Sequence, residues 1–125
     1  MIGSTRQVAV YAYRTPVDMR KSFDTLTALV VQGLGRDVLS GDFFLFISKR
    51  RRRAKVLFWD GTGLCLYAKR LEKGLFAAPW AREGEEPLSM TVTELQLLLE
   101  GSALVTKVPL SPAPWSPADR VLRWG

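Results

Sequence analysis

Three runs rich in aromatic and branched side chains lie close together in the chain: FFLFIS (43–48), AKVLFW (54–59) and LCLYAKRL (64–71). Only KRRRR and DGTG separate them. Links this short leave no room for a crossover helix, so the three runs predict an antiparallel meander. Asp60 and Gly63 would close the second turn, which sets paired residues to add to about 123 and brings Arg53 beside Arg70 and Lys55 beside Ala68. Alternation puts Leu57 and Trp59 on one face and Val56 and Phe58 on the other. Both faces are therefore apolar, and both need cover.

The periodicity changes on either side of the meander. QVAVYAY (7–13) is branched and aromatic enough for a short strand. After it, Met19, Phe23, Leu26, Leu29, Val30 and Leu34 share one arc of a helical wheel, with Arg20, Lys21, Asp24 and Gln32 opposite. Thr15 as N-cap, Pro16 at the first position and Asp18 as the capping acid predict the start of this helix, and Gly33 and Gly35 its end. A second capping box, Thr91 to Glu94, opens TVTELQLLLEG (91–101), with Leu95, Leu98 and Leu99 on one side and Gly101 at the stop. The expected fold is α+β: an antiparallel β-meander, a capped amphipathic helix on one face and a second short C-terminal helix as further cover. The expected organisation is a single domain over 1–106 with a polar linker at about 81–90, then a proline-rich tail over 107–125. A second subunit is the other source of cover, so a homodimer joins the expected partners.

Composition narrows the chemistry. At 125 residues, 47% apolar and 24% charged, the chain has the make-up of one globular domain. Met1–Arg14 lacks the apolar core of a signal peptide, and no apolar stretch approaches the ~20 residues of a membrane span. The single cysteine, Cys65, excludes an internal disulfide and fits a reducing, cytoplasmic setting. With no histidine, Ser-His-Asp and Cys-His sets are excluded, as are most zinc sites.

The net charge of +6 is uneven: residues 1–79 hold 14 Lys and Arg against 6 Asp and Glu, and residues 80–125 hold 4 against 6. A basic body points to a polyanionic partner. The meander concentrates this charge. Lys49–Arg53 form a hairpin tip, and Lys69, Arg70 and Lys73 leave the third strand at the same rim, about 20 Å from the Asp60 turn. With Lys55, and with Arg20 and Lys21 extending the surface, these residues are the expected phosphate contacts, arginine binding phosphate through its fork. Neutralising about five phosphates would give a log–log salt slope near −4.5. The alternative is a solvated loop whose arginines guard a sheet edge.

Other residues read as structural. Trp59, Phe44 and Tyr67 could stack on bases but sit inside strands, where core packing is expected. Asp60 reads as a turn former and Cys65 as a small core residue. Asp18 and Asp24 read as capping and helix-face acids, and no carboxylates gather as a metal-dependent nuclease requires. No cofactor, no metal and no catalysis are expected.

TPVDMRKSFDTLTALV (15–30), LSGDFFLFISKRRRRAKVLFWDGTGLCLYAKRLEKGLF (39–76) and TVTELQLLLEG (91–101) together resemble the TnpB-type accessory protein of the insertion-sequence-sixty-six family. The resemblance covers roughly residues 8–101 and rests on P-V-D-M-R-K, W-D-G-x-G and K-R-L-E-x-G-x-F in that order. It implies a bacterial protein encoded beside a separate, larger transposase and needed for efficient transposition. It does not imply the RNA-guided nuclease that shares the TnpB name. The chain departs from the family pattern at Ser22, where members usually carry glycine, and at Arg52 and Arg53, where the basic run is commonly broken. The expected function is that of a non-catalytic DNA-binding accessory factor in transposition, on element ends or non-specific duplex, at the nucleoid and without membrane. The alternative is an adaptor that docks on the transposase without touching DNA.

Overall fold

The computed structural model describes residues 7–81 and 88–101. A five-stranded mixed sheet runs in the order β4-β3-β2-β1-β5. Its strands are β1 (Val10–Ala12), β2 (Phe43–Ile47), β3 (Arg53–Trp59), β4 (Leu64–Arg70) and β5 (Leu88–Met90). The β2-β3-β4 meander is antiparallel, and its β3–β4 pair has the predicted register, with Arg53 opposite Arg70, Lys55 opposite Ala68 and Trp59 opposite Leu64. β1 lies parallel to β2, Val10 opposite Phe43, and β5 closes the far edge antiparallel to β1. β5 was not foreseen; its residues fall within the span expected as linker, and residues 82–87 of that span and the proline-rich tail lie outside the described residues.

A parallel pair needs a crossover, and the first helix supplies it. α1 (Phe23–Ala28) continues as a π-helical turn over Leu29–Gly33. It begins seven residues later than the Thr15–Pro16 signal predicts. The reason is backbone pairing: the N–H groups of Tyr13 and Val17 donate to Leu45 and Ile47 carbonyls at 2.9 and 3.0 Å, so residues 13–17 continue alongside β2. Pro16 brings no N–H to that run, so it leaves none unpaired. Asp18, expected as a capping acid, closes a tight turn instead, its Oδ1 accepting from the Arg20 N–H at 2.9 Å and its carbonyl from Lys21 at 3.1 Å. The helix then starts at Ser22, whose N–H donates to Thr25 Oγ1 at 3.0 Å. Gly35, in left-handed backbone at φ 62°, turns the chain away after it.

α2 (Val92–Leu99) opens on the predicted box, with Thr91 N–H donating to Glu94 Oε1 at 2.8 Å and Glu94 N–H to Thr91 Oγ1 at 3.1 Å. The two helices take opposite faces. Leu26 and Val30 pack on Phe44, Phe46 and Leu57. Leu95, Leu98 and Phe76 pack on Leu45, Ile47, Val56 and Met90. Each of these residues is almost fully buried; removing a Leu-sized side chain from either layer costs about 2–5 kcal/mol. The cover is intramolecular, so the two-sided sheet gives no reason for a second subunit.

The sheet has two edges, the three-residue β5 and the seven-residue β4. Asp60 N–H bonds the Gly63 carbonyl, and Leu71 N–H bonds the Arg52 carbonyl at 2.8 Å. Those bonds set the phase of the ladder: Cys65, Tyr67 and Lys69 turn their backbone groups to β3, while Leu64, Leu66, Ala68 and Arg70 turn theirs outward. Tyr67, expected in the core, is 45% exposed on this edge, whereas Phe44 is fully buried and Trp59 half-buried.

Candidate nucleic-acid interface

The basic turn between β2 and β3 is held by three contacts at its base. Ser48 N–H donates to Arg53 O at 3.0 Å, Arg53 N–H to Ser48 Oγ at 3.1 Å, and Arg51 N–H to Ser48 O at 2.9 Å. Arg51 is the one non-glycine residue with positive φ, 63°, among the described residues. Left-handed backbone costs a residue with a Cβ roughly 1–2 kcal/mol. Contacts with the following segment offset it: Arg51 Nε donates to Phe76 O at 2.8 Å, Phe76 N–H returns to Arg51 O at 2.7 Å, and Leu71 N–H caps Arg52 O. Arg51 is half-buried, does not line the groove beside the turn, and through its Nε bond acts as a strut of the turn.

Its neighbours point elsewhere. A groove of about 750 Å³ lies between the turn and residues 16–20, and Arg20, Lys49, Arg50, Arg52, Arg53 and Arg70 all line it. Strand alternation explains the convergence. Arg53 and Arg70 are cross-strand partners on the face that carries Leu57, and α1 packs on that face together with its leading segment. Arg20 reaches the groove from the Asp18 turn and not, as expected, from the outer arc of a helix.

Two of the six cations are already paired. Arg20 Nη2 meets Asp18 Oδ2 at 2.7 Å, and its Nε reaches both carboxylate oxygens at 3.1 Å. This fork holds the Asp18 carboxyl at about 2, below the usual carboxylate range. Arg70 Nε meets Glu72 Oε2 at 3.2 Å, with both side chains largely exposed, a pair of the kind that contributes little to stability. Among the described residues, no carboxylate pairs with Lys49, Arg50, Arg52 or Arg53.

The remaining expected contacts are placed differently. Lys55, on the α1 face, donates through Nζ to Lys21 O at 2.7 Å and ties the helix approach to the sheet. Lys69, one position out of phase and so on the α2 face, donates to Leu99 O at 2.8 Å at the end of α2. Both amines donate to backbone carbonyls, and neither lines the groove. Lys21 is half-buried and Lys73 exposed, and neither lines the groove. The opposite end of the meander carries the Asp60 turn. Asp60 Oδ1 accepts from Thr62 N–H and Gly63 N–H at 2.8 Å each, which lowers its carboxyl to about 2. Burial and the Asp60 side chain raise the Cys65 thiol, so nothing there activates it as a nucleophile. No cluster of three or more Cys, Asp or Glu suited to a metal occurs among the described residues.

Pro16, Asp18, Met19 and Glu72 also line the groove and were not expected there. Their only signal in the chain was nearness to Arg20 and Arg70. All the meander, the basic turn and both helix signals fall inside residues 8–108, the span matched by the model of the family described as IS66 Orf2 like protein. The chain belongs to that family. Two relatives from Sinorhizobium fredii (strain NBRC 101917 / NGR234) match over 101 residues each. The uncharacterized protein y4jC is 39% identical, over 81% of this chain and 85% of its own. The uncharacterized protein y4hO is 34% identical, over 81% and 86%. No solved structure matches. Membership of the IS66 Orf2-like family ties the chain to an accessory role in transposition of an insertion sequence, in the company of a transposase, in a family that is generally non-catalytic. No helix among the described residues is long and apolar enough to cross a membrane.

Proposed function

We propose that this IS66 Orf2-like protein is a DNA-binding accessory factor in transposition, without catalysis of its own, that grips the phosphate backbone through the basic β2-β3 turn. One observation carries the reading: Lys49, Arg50, Arg52 and Arg53 line a single groove with no described carboxylate paired to them. Keeping four like charges together unpaired is unfavourable unless a polyanion offsets it. Arg20 and Arg70 line the same groove, each paired with a carboxylate, so the unpaired charge is that of the turn. The turn is pinned to the Leu71–Phe76 segment, so the cations start from a fixed scaffold and little ordering is lost on binding. Sequence preference is weak in this reading, because phosphate contacts position a protein without reading bases.

A mobility shift at two salt concentrations, on element-end and unrelated duplexes, tests it. Binding to both that weakens steeply with salt, and is lost in the Arg50→Glu, Arg52→Glu, Arg53→Glu triple variant, supports the reading. No binding at low salt overturns it.

The open β4 edge favours a second reading, an adaptor for the transposase. Seven residues with outward backbone groups at Leu64, Leu66, Ala68 and Arg70 suit strand addition by a partner. Here the triple variant keeps its pull-down of the transposase, and the wild-type protein shows no shift of DNA at all.

A further inference from the structure

The groove beside the basic turn has three kinds of lining, and a duplex backbone calls for only one of them. The first is the cationic rim of Lys49, Arg50, Arg52 and Arg53. The second is apolar: Pro16 is exposed, and half-buried Met19 lines the groove while its other side packs on the α1 core. The third is a pair of carboxylates, Asp18 and Glu72, held on opposite banks by Arg20 and Arg70. Each carboxylate is ion-paired to an arginine of the same groove, so the two pairs add hydrogen-bond acceptors to the lining and little net charge.

Rim cations, an apolar wall and carboxylate acceptors match the parts of an unpaired nucleotide: phosphate, base face, and amino groups on the base edge. In a duplex those edges are paired and the base faces stacked, so only the rim would be used. The groove, about 750 Å³ and open to solvent, has room for one nucleotide while the strand runs on outside it. Resting on the phosphate-binding reading above, we infer that this groove takes a nucleotide of single-stranded DNA, its phosphate on the Arg50, Arg52 and Arg53 rim and its base between Met19 and Glu72. The ligand is an unpaired strand, such as exists where a duplex is opened or ends in an overhang.

Fluorescence anisotropy with the full chain and labelled oligonucleotides of about 15 nucleotides, single-stranded and duplex, tests this; single-strand sites span lengths of that order. At equal salt the single strand should bind roughly tenfold tighter, a margin that one or two base contacts supply. Met19→Ala should weaken single-strand binding by about threefold to tenfold and leave duplex binding within about twofold. Duplex binding as tight as single-strand binding overturns the inference and leaves the phosphate reading standing, whereas binding of neither at low salt removes both. Glu72, whose side chain is largely exposed, gives a second variant that leaves the core untouched. Glu72→Gln should change the ranking of cytosine-only, adenine-only and thymine-only strands, while an equal gain on all three overturns the base contact.

Discussion

Arg51 and Phe76 bond each other twice: the arginine Nε donates to the Phe76 carbonyl at 2.8 Å, and the Phe76 N–H donates to the Arg51 carbonyl at 2.7 Å. The middle cation of the five in Lys49–Arg53 is thus spent on the protein itself. It also occupies left-handed backbone, so its substitutions separate two effects. Arg51→Ala loses a charge-assisted hydrogen bond and keeps the backbone strain, and should destabilise the fold by about 2 kcal/mol. Arg51→Gly loses the same bond but relieves the strain, so its loss should be smaller by about 1 kcal/mol. Urea unfolding of both variants decides; a glycine variant less stable than the alanine one contradicts the account.

The lysines and arginines divide into two classes by what salt does to their variants. Removing a phosphate contact lowers the magnitude of the log–log salt slope by about 0.9. Arg50→Gln, Arg52→Gln and Arg53→Gln should each do so while leaving stability within about 0.5 kcal/mol, as exposed sites do. Lys55→Met and Lys69→Met should leave the slope unchanged and cost about 1 kcal/mol in unfolding, since each amine is bonded to a backbone carbonyl. Slopes measured by anisotropy over a salt series would expose any lysine placed in the wrong class.

At the end of α2, Gly101 sits at φ 71°, and a Cβ there would lie 3.0 Å from Leu71 Cδ1 and 3.1 Å from Cδ2. Gly101→Ala should cost about 1–2 kcal/mol despite the better helix propensity of alanine. Thermal unfolding should show a lowered Tm; an unchanged one would mean that Leu71 moves aside freely.

Asp18 and Asp60 both have carboxyls lowered from 3.8 to about 2 by hydrogen bonds made only when folded, the first mainly from Arg20 and the second mainly from the Thr62 backbone. A lowered folded value means the unfolded chain takes up protons first. The stability these groups contribute is complete above about pH 4 and drains away as pH falls toward 2. Asp18→Asn and Asp60→Asn should each flatten the acid limb of a stability-versus-pH curve in that window. Two limbs as steep as the wild type would refute the linkage.

Much of the meander could be read from the chain because its determinants are local. The Asp60–Gly63 turn fixes one register, and every cross-strand pair, Arg53 with Arg70 included, follows from it. The Thr91–Glu94 box is equally local, and α2 begins where it says. The start of α1 was not legible, because residues 13–17 obey a longer-range demand: the free carbonyls of Leu45 and Ile47 on β2. β5 escaped notice for a similar reason, as three residues take their strand character from pairing with β1. At the groove, the gathering of the arginines was visible in the pairing, but the fates of Arg51, Lys55 and Lys69 were not. A lysine on a strand shows its charge in the sequence, not the carbonyl that waits for it thirty residues away.

The order of the sheet also sets an order of assembly. β1, α1 and the meander occupy the first seventy residues, so the layer of Leu26, Val30, Phe44 and Phe46 is complete early in synthesis. The opposite layer waits for Phe76, Met90, Leu95 and Leu98, the last apolar groups of the described chain to leave the ribosome. A nascent chain paused before α2 therefore lacks Leu95 and Leu98 and leaves the layer of Leu45, Ile47 and Val56 only partly covered.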